Sequence, residues 1–350
     1  MIEILGEPLV VALIGLLSGG LLGLAARLGG FCTLGALEDY FYSSSDLRLR
    51  MWGVAIGVAI LGTFSLIWAG WLDASGPAYL AQGWNPWAAV LGGLVFGYGT
   101  AISGNCGFGA LARLGGGDLR SFVIVLVTGI AAYVALSGPL AELRVWMFPL
   151  SDGDALPGLA HALSRMTGLA PAPLGFAIGL LVLTLVVAPR HVRRSGSTLF
   201  WGAVVGLAIT AGWAGTAWVA REGWEAVPIV SHTFSAPLGD TILYAMLASG
   251  LAPSFGVGSV LGVLAGAFVG SLIKGHFRWE ACDDPRELRR QIGGAVLMGF
   301  GAVVAAGCSV GQGLSAMSLL AFSAPLTLVS IFVGAYIGLR QLIVGFASAE

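Results

Sequence analysis

The 350-residue chain is 57% hydrophobic and only 10% charged, where soluble domains carry roughly 25% charged residues. So few polar groups cannot cover a water-facing surface, which excludes a soluble globule and predicts a polytopic membrane protein. Seventeen Lys and Arg against 18 Asp and Glu give a formal net charge of −1, without the basic field that nucleic acid requires as a partner.

Glycine accounts for 55 residues, more than twice the roughly 7% average. In membrane helices it permits close packing and broken helices. The N-terminal MIEILGEPLV is acidic and lacks a basic n-region, so no cleaved signal peptide is expected. A span needs about 20 apolar residues. In chain order, the apolar runs predict helices near 8–28, 51–72, 87–104, 119–137, 172–188 and 198–219. The run 240–273 is too long for one span and too short for two, and 291–307 and 325–345 complete the set. The pieces 30–40, 106–116, 240–251 and 309–321 are too short to cross and read as half-helices or re-entrant segments.

The loops between these runs differ in charge. One alternating set holds Arg48, Arg50, Arg113, Arg120, Arg190, Arg193, Arg194, Lys274, Arg278, Arg286, Arg289 and Arg290. The other set, 73–86, 138–171 and 220–239, holds only Arg144, Arg165 and Arg221. The positive-inside rule puts the first set in the cytoplasm. Trp84, Trp87, Trp146, Trp218 and Trp224 on the other side suit an interfacial belt. The charged run His276–Gln291 ends in a helix start, with Asp284 as N-cap, Pro285 first and Glu287 third.

Two stretches repeat. GYGTAISGNCGFG (Gly97–Gly109) and GFGAVVAAGCSVG (Gly299–Gly311) share the pattern G-[YF]-G-x6-C-x-x-G. Each follows a Gly-Gly, at 92–93 and 293–294. Cys32 in GGFCTLG shares the C-x-x-G ending through Gly35. The first copy is approached from a loop without Arg or Lys and the second from the basic loop 274–290, so the copies run in opposite directions. The predicted fold class is therefore an all-α polytopic membrane protein, an inverted-repeat helical bundle with short re-entrant half-helices at its centre. The predicted division is a first half at 1–137, connecting loop and spans at 138–240 and a second half at 241–350, all in one membrane domain. Its most polar part, 138–171, carries Pro139, Pro149 and Pro157.

A helix that starts inside the membrane presents free N–H groups and a positive dipole end, an anion site without a buried Lys or Arg. Cysteine adds a weak donor and a polarizable acceptor. The combination suits an anion that is itself partly sulfur. Candidate substrate-binding residues are Cys32, Cys106 and Cys308 with Gly107, Gly109, Asn105, Ser309, Gly311 and Gln312. The competing reading is glycine-packed helices with cysteine as a small hydrophobe, and polar neighbours as caps or interhelical glue. Matched placement of thiols at predicted breaks favours the site. There is no C-x-x-C pair or zinc spacing, so neither a disulfide framework nor a metal or other cofactor is expected. Cys282 lies in the charged loop and reads as incidental. His161, His191, His232 and His276 fall in or beside loops and read as solvated or interfacial; Asp240 reads as a cap for a segment starting at Thr241.

GGFCTLGAL, GYGTAISGNCGFGALARLGGGDLRS and above all QIGGAVLMGFGAVVAAGCSVGQGLSAMS make the chain similar to the YeeE/YedE family of sulfur-compound permeases over about residues 15–340. The resemblance implies a non-enzymatic thiosulfate transporter of the bacterial inner membrane. It implies that thiols matching Cys32, Cys106 and Cys308 pass the ion by S–H hydrogen bonds, and that a TusA-like sulfur carrier acts on the cytoplasmic side. Some relatives are linked to selenium metabolism, which leaves other sulfur or selenium oxyanions as rival substrates. A membrane thiol oxidoreductase or persulfide-handling protein is the rival class, and a structural or gating subunit a third.

Overall fold

The computed structural model describes residues 5–73, 76–81, 83–149, 158–224, 226–281 and 284–344. Every named element among them is helical. Helix α1 (Glu7–Leu24) winds into a π-helical turn at Ala25–Gly29 and stops at Gly30, whose φ is +72°. After Cys32 comes the short α2 (Thr33–Tyr42), then α3 (Leu47–Trp68). Helix α4 (Pro86–Ser103) stops at left-handed Gly104, and the short α5 (Gly107–Gly115) follows Cys106. Next are α6 (Leu119–Leu136), α7 (Ala141–Met147), α8 (Leu159–Thr167), α9 (Pro171–Val187) and α10 (Gly196–Glu222). The chain closes with α11 (Ala236–Leu247), α12 (Phe255–Ile273), α13 (Pro285–Val304), a π-helical turn at Gly311–Ala316 and α14 (Ser323–Val344).

Local chemistry sets these starts. The Asn85 carboxamide oxygen accepts from the N–H groups of Trp87 and Ala88, and Pro86 opens α4. Asp118 caps α6, Ser254 caps α12, and Asp284 caps α13 ahead of Pro285. The apolar run 240–273 divides into α11 and α12. Because Pro237 sets its first turn, α11 begins at Ala236. Asp240 is therefore inside that helix, not a cap, and accepts a hydrogen bond from the Tyr133 hydroxyl.

Among the described residues, seven helical segments are long and apolar enough to cross a membrane, and the α8–α9 pair, bent by 119°, makes an eighth if it counts as one span. The segment at Pro285–Val304 is not among the seven; its first turns hold Arg286, Glu287, Arg289 and Arg290.

Glycine lets the long helices touch through their backbones. Helices α1 and α12 run parallel, with Gly15, Gly19 and Gly23 facing residues 255–267 and Gly258, Gly262 and Gly266 facing residues 12–20. A Cβ on Gly258 would lie 1.9 Å from the Ala12 carbonyl oxygen. Helix α3 packs on α10 in the same parallel sense, Gly202 and Gly206 resting on the Met51 and Ala55 carbonyls. Helix α4 lies between α14 and α13. Against α13 it is antiparallel, so that Gly92 meets Gly301 and Gly99 meets Gly294. Helix α13 also packs on α6, with Gly299 against the Thr128 carbonyl.

The two loop sets gather at opposite ends of this bundle. At the basic end, Asp46 binds Arg50 and His191, while Arg120 pairs with Asp118, Glu280 and Glu287. At the other end, Arg221 donates to the Gly70 carbonyl, Asn85 to that of Pro149, and the Leu159 N–H to that of Leu320.

Candidate functional site

Three of the helix breaks share one geometry. The Cys32 sulfur accepts the Gly35 N–H at 3.5 Å, Cys106 the Gly109 N–H at 3.4 Å, and Cys308 the Gly311 N–H at 3.4 Å. A thiol thus stands where Ser or Asp would cap a helix, and the glycine three residues on supplies the bonded N–H. At Gly311 space is tight as well: a Cβ there would come within 2.5 Å of the Thr233 hydroxyl.

The breaks meet in the interior. The Thr33 hydroxyl, next to Cys32, donates to the Ser309 hydroxyl at 3.2 Å and stands 4.0 Å from the Cys106 sulfur. Ser309 in turn follows Cys308. On its other side the Cys308 sulfur accepts the Phe234 N–H at 3.2 Å, with the Thr233 hydroxyl at 3.6 Å. Cys106 and Cys308 are buried, whereas Cys32 is partly exposed.

A cavity opens toward each end of this seam. The one at the basic end, about 220 Å³, is lined by Arg27, Cys32, Glu38, Arg48, Asn105 and Arg113 among others. The one at the opposite end, about 310 Å³, includes Tyr79, Asn85, Arg144, Trp213, Thr233 and Gln312. Thr33, Cys106, Cys308 and Ser309 line neither cavity and are buried. Cations therefore stand at both mouths, while thiols, hydroxyls and helix starts fill the middle. Such an arrangement attracts an anion to either side and offers it donors without a fixed countercharge in between.

The sequence-predicted residues fare differently one by one. Asn105 is buried, lines the basic cavity with Gly109, and its carbonyl accepts from the Ser103 hydroxyl. Gly107 lies against the Phe234 carbonyl. Gln312 reaches the opposite cavity, but its amide donates to the Ala305 and Ala306 carbonyls at 3.1 and 3.0 Å and accepts from Ser323 at 3.2 Å. Those bonds tie down the end of α13. Cys282 lies outside the described residues.

His232 departs from its expected solvated state. It is fully buried, its Nδ1 lies 2.6 Å from the Ser259 hydroxyl, and its carbonyl accepts from Ser315. The loop segment that carries it, 226–235, folds inward to reach Cys308. Arg27 also turns inward: its Nε donates to the Ser271 hydroxyl at 2.7 Å and it lines the basic cavity. Thr33, Thr233 and Phe234 escaped the sequence reading, although one numerical signal pointed to Phe234. Cys32 and Cys106 are 74 positions apart, and so are Phe234 and Cys308.

Comparison with known proteins adds the following. A family model described as "Sulphur transport" matches residues 12–337. The chain is 28% identical over 340 residues, 92% of each chain, to a protein of Escherichia coli K12 named thiosulfate transporter TsuA. It is 26% identical over 336 residues to a protein of the same name from Spirochaeta thermophila, covering 91% of this chain and 96% of that one.

Proposed function

The chain belongs to the sulphur-transport family, and on that premise we propose that it carries thiosulfate across the bacterial inner membrane, through the thiol-lined seam between the cavities at Arg144 and at Arg113. It is a multi-pass membrane transporter rather than an enzyme. The substrate is taken from the name borne by both relatives. The observation that carries the route is the contact joining the breaks: Thr33 touches both Ser309 and the Cys106 sulfur, in a buried layer that lines neither cavity.

In this reading thiosulfate collects in the cavity near Arg144 and Thr233. It passes Cys308, then Cys106, and leaves by Cys32 toward Arg27, Arg48 and Arg113, the end that the positive-inside rule assigns to the cytoplasm. N–H groups at the half-helix starts and S–H donors replace its water, and no covalent bond to sulfur forms. Weak thiol contacts suit a conduction site, which must release what it binds. The other proposed site residues, Gly107, Gly109, Asn105 and Gly311, shape the walls, and Gln312 holds the end of α13 beside them. A TusA-like carrier at the basic end is the proposed acceptor.

The inverted repeat belongs to the same proposal. An offset of 202 positions carries Cys106 onto Cys308 and relates the helix contacts. Under it, α1 on α12 corresponds to α10 on α3, and α4 on α14 to α13 on α6. The antiparallel contact of α4 with α13 maps onto itself, since Gly92 with Gly301 becomes Gly99 with Gly294 on exchange. In this scheme α10 starts the second half at Gly196, so it joins that half instead of the 138–240 connector.

The test is uptake of labelled thiosulfate by the purified protein in liposomes. Uptake by the wild type, with Cys106→Ala and Cys308→Ala slowed roughly tenfold to a hundredfold, is the expected result: one hydrogen bond to a charged group contributes about 1.5–3 kcal/mol, and ~1.4 kcal/mol is a factor of ten. Alanine variants as fast as wild type would remove the thiols from the route, and no uptake at all would remove the transport reading.

A further inference from the structure

Resting on the thiosulfate reading, we propose that Phe234 sets the anion selectivity of the pathway by keeping its narrowest part dry. The spacing of 74 shared by Cys32–Cys106 and Phe234–Cys308 gives Phe234, in the second half, the place that Cys32 holds in the first. Its backbone behaves as a break requires. The N–H donates to the Cys308 sulfur at 3.2 Å, and α11 begins just beyond it. The side chain is where the halves differ. A partly exposed thiol at one position is matched by a fully buried ring at the other.

That ring does not stand alone. Its centroid is 5.3 Å from that of Phe108, which is 6.3 Å from that of Phe31. Phe31 precedes Cys32 and Phe108 follows Cys106 by two residues, so each thiol of the seam has one ring beside it. The basic side chains Arg27, Arg48, Arg113 and Arg144 line the cavities; Phe31 borders the basic one beside Cys32, whereas Phe108 and Phe234 line neither. An anion crossing this layer exchanges its water for a few N–H and S–H donors and for rings that accept no hydrogen bond from it and donate none. Sulfate spreads its charge over hard oxygens and loses most by dehydration. Thiosulfate presents a soft sulfur that holds water less tightly. An aromatic wall therefore discriminates by withholding donors from the anion that needs them most. A fourth thiol or a hydroxyl at residue 234 would relax that discrimination.

The experiment compares uptake of radiolabelled sulfate and thiosulfate into proteoliposomes holding wild type, Phe234→Ser, Phe234→Leu or Phe234→Tyr. The Ser variant should raise the sulfate-to-thiosulfate ratio by at least about tenfold, the lower end of what one side-chain change in an apolar site does to discrimination. The Leu variant, apolar and nearly filling the space, should keep the wild-type ratio. The Tyr variant retains the ring and adds a hydroxyl, so it should raise the ratio less than Ser does, and it carries the test if the Ser protein does not fold. A wild-type ratio in whichever hydroxyl variants fold would overturn the proposal, as would a Leu variant as permissive as Ser. Absence of thiosulfate uptake by the wild type would instead sink the transport reading beneath it.

Discussion

Sulfur is a poor substitute for oxygen at a helix start, and the chain uses it three times. Ser, Asp and Asn hold the N3 N–H more tightly than a thiol does. A cap that grips loosely leaves that N–H available to a passing anion, which is the role proposed for Cys32, Cys106 and Cys308 at their helix starts. Cys308→Ser should therefore fold at least as well as wild type yet transport more slowly, retaining partial activity. Complete loss with an intact fold would favour thiol redox chemistry. Thr33→Val removes the hydroxyl that touches Ser309 and Cys106 while preserving shape. Uptake should fall by about tenfold, the equivalent of ~1.4 kcal/mol, with Tm close to wild type; unchanged uptake would take Thr33 out of the route. The three cysteines were legible because C-x-x-G repeats. Thr33 and Thr233 were not, since a hydroxyl beside a break has no spacing of its own. Loop position misled for His232, because a loop that turns back into the bundle buries what it carries. Gln312 was found, but its amide is engaged by α13, and only coordinates reveal how a polar group's bonds are used.

Among the helices, glycine content announced close packing without saying which pairs pack. The sequence placed the breaks within a few residues, and α5 and α12 fall inside predicted segments. It missed the start of α11, because Pro237 reads as an interruption until the helix is seen to begin just before it. Gly258→Ala should lower stability by about 1–3 kcal/mol, the usual cost of overpacking, since its Cβ would meet the Ala12 carbonyl backbone at 1.9 Å. Thermal unfolding in detergent checks this, and an unchanged Tm would refute the direct α1–α12 contact. At the basic end, a hydrogen bond from Arg50 chiefly, and His191 after it, hold the Asp46 carboxyl below its ordinary pKa. A depressed pKa means the contact is intact above the ordinary Asp range and is lost as pH falls through the lower folded value. Hydrogen exchange over residues 187–195 should stay slow from neutral pH downward and rise only below about pH 4. Asp46→Asn should raise it at neutral pH; unchanged exchange in that variant would show that the Asp46 contacts do not hold this turn.

At the scale of the molecule, composition made the membrane fold legible and charge asymmetry divided the loops correctly between two ends. The junction of the breaks was not legible, because residues 33, 106, 234 and 309 lie far apart in sequence and meet only through the stacking of α4, α13 and their neighbours. Transport through the proposed route requires four chain breaks to converge on one dry seam, with cations held back in the cavities on either side. The most direct measurement is a structure determined with thiosulfate bound. Density among Cys106, Cys308 and the half-helix starts is the predicted result. Density confined to a surface site, with Cys106 and Cys308 untouched and packed among apolar side chains, would contradict it.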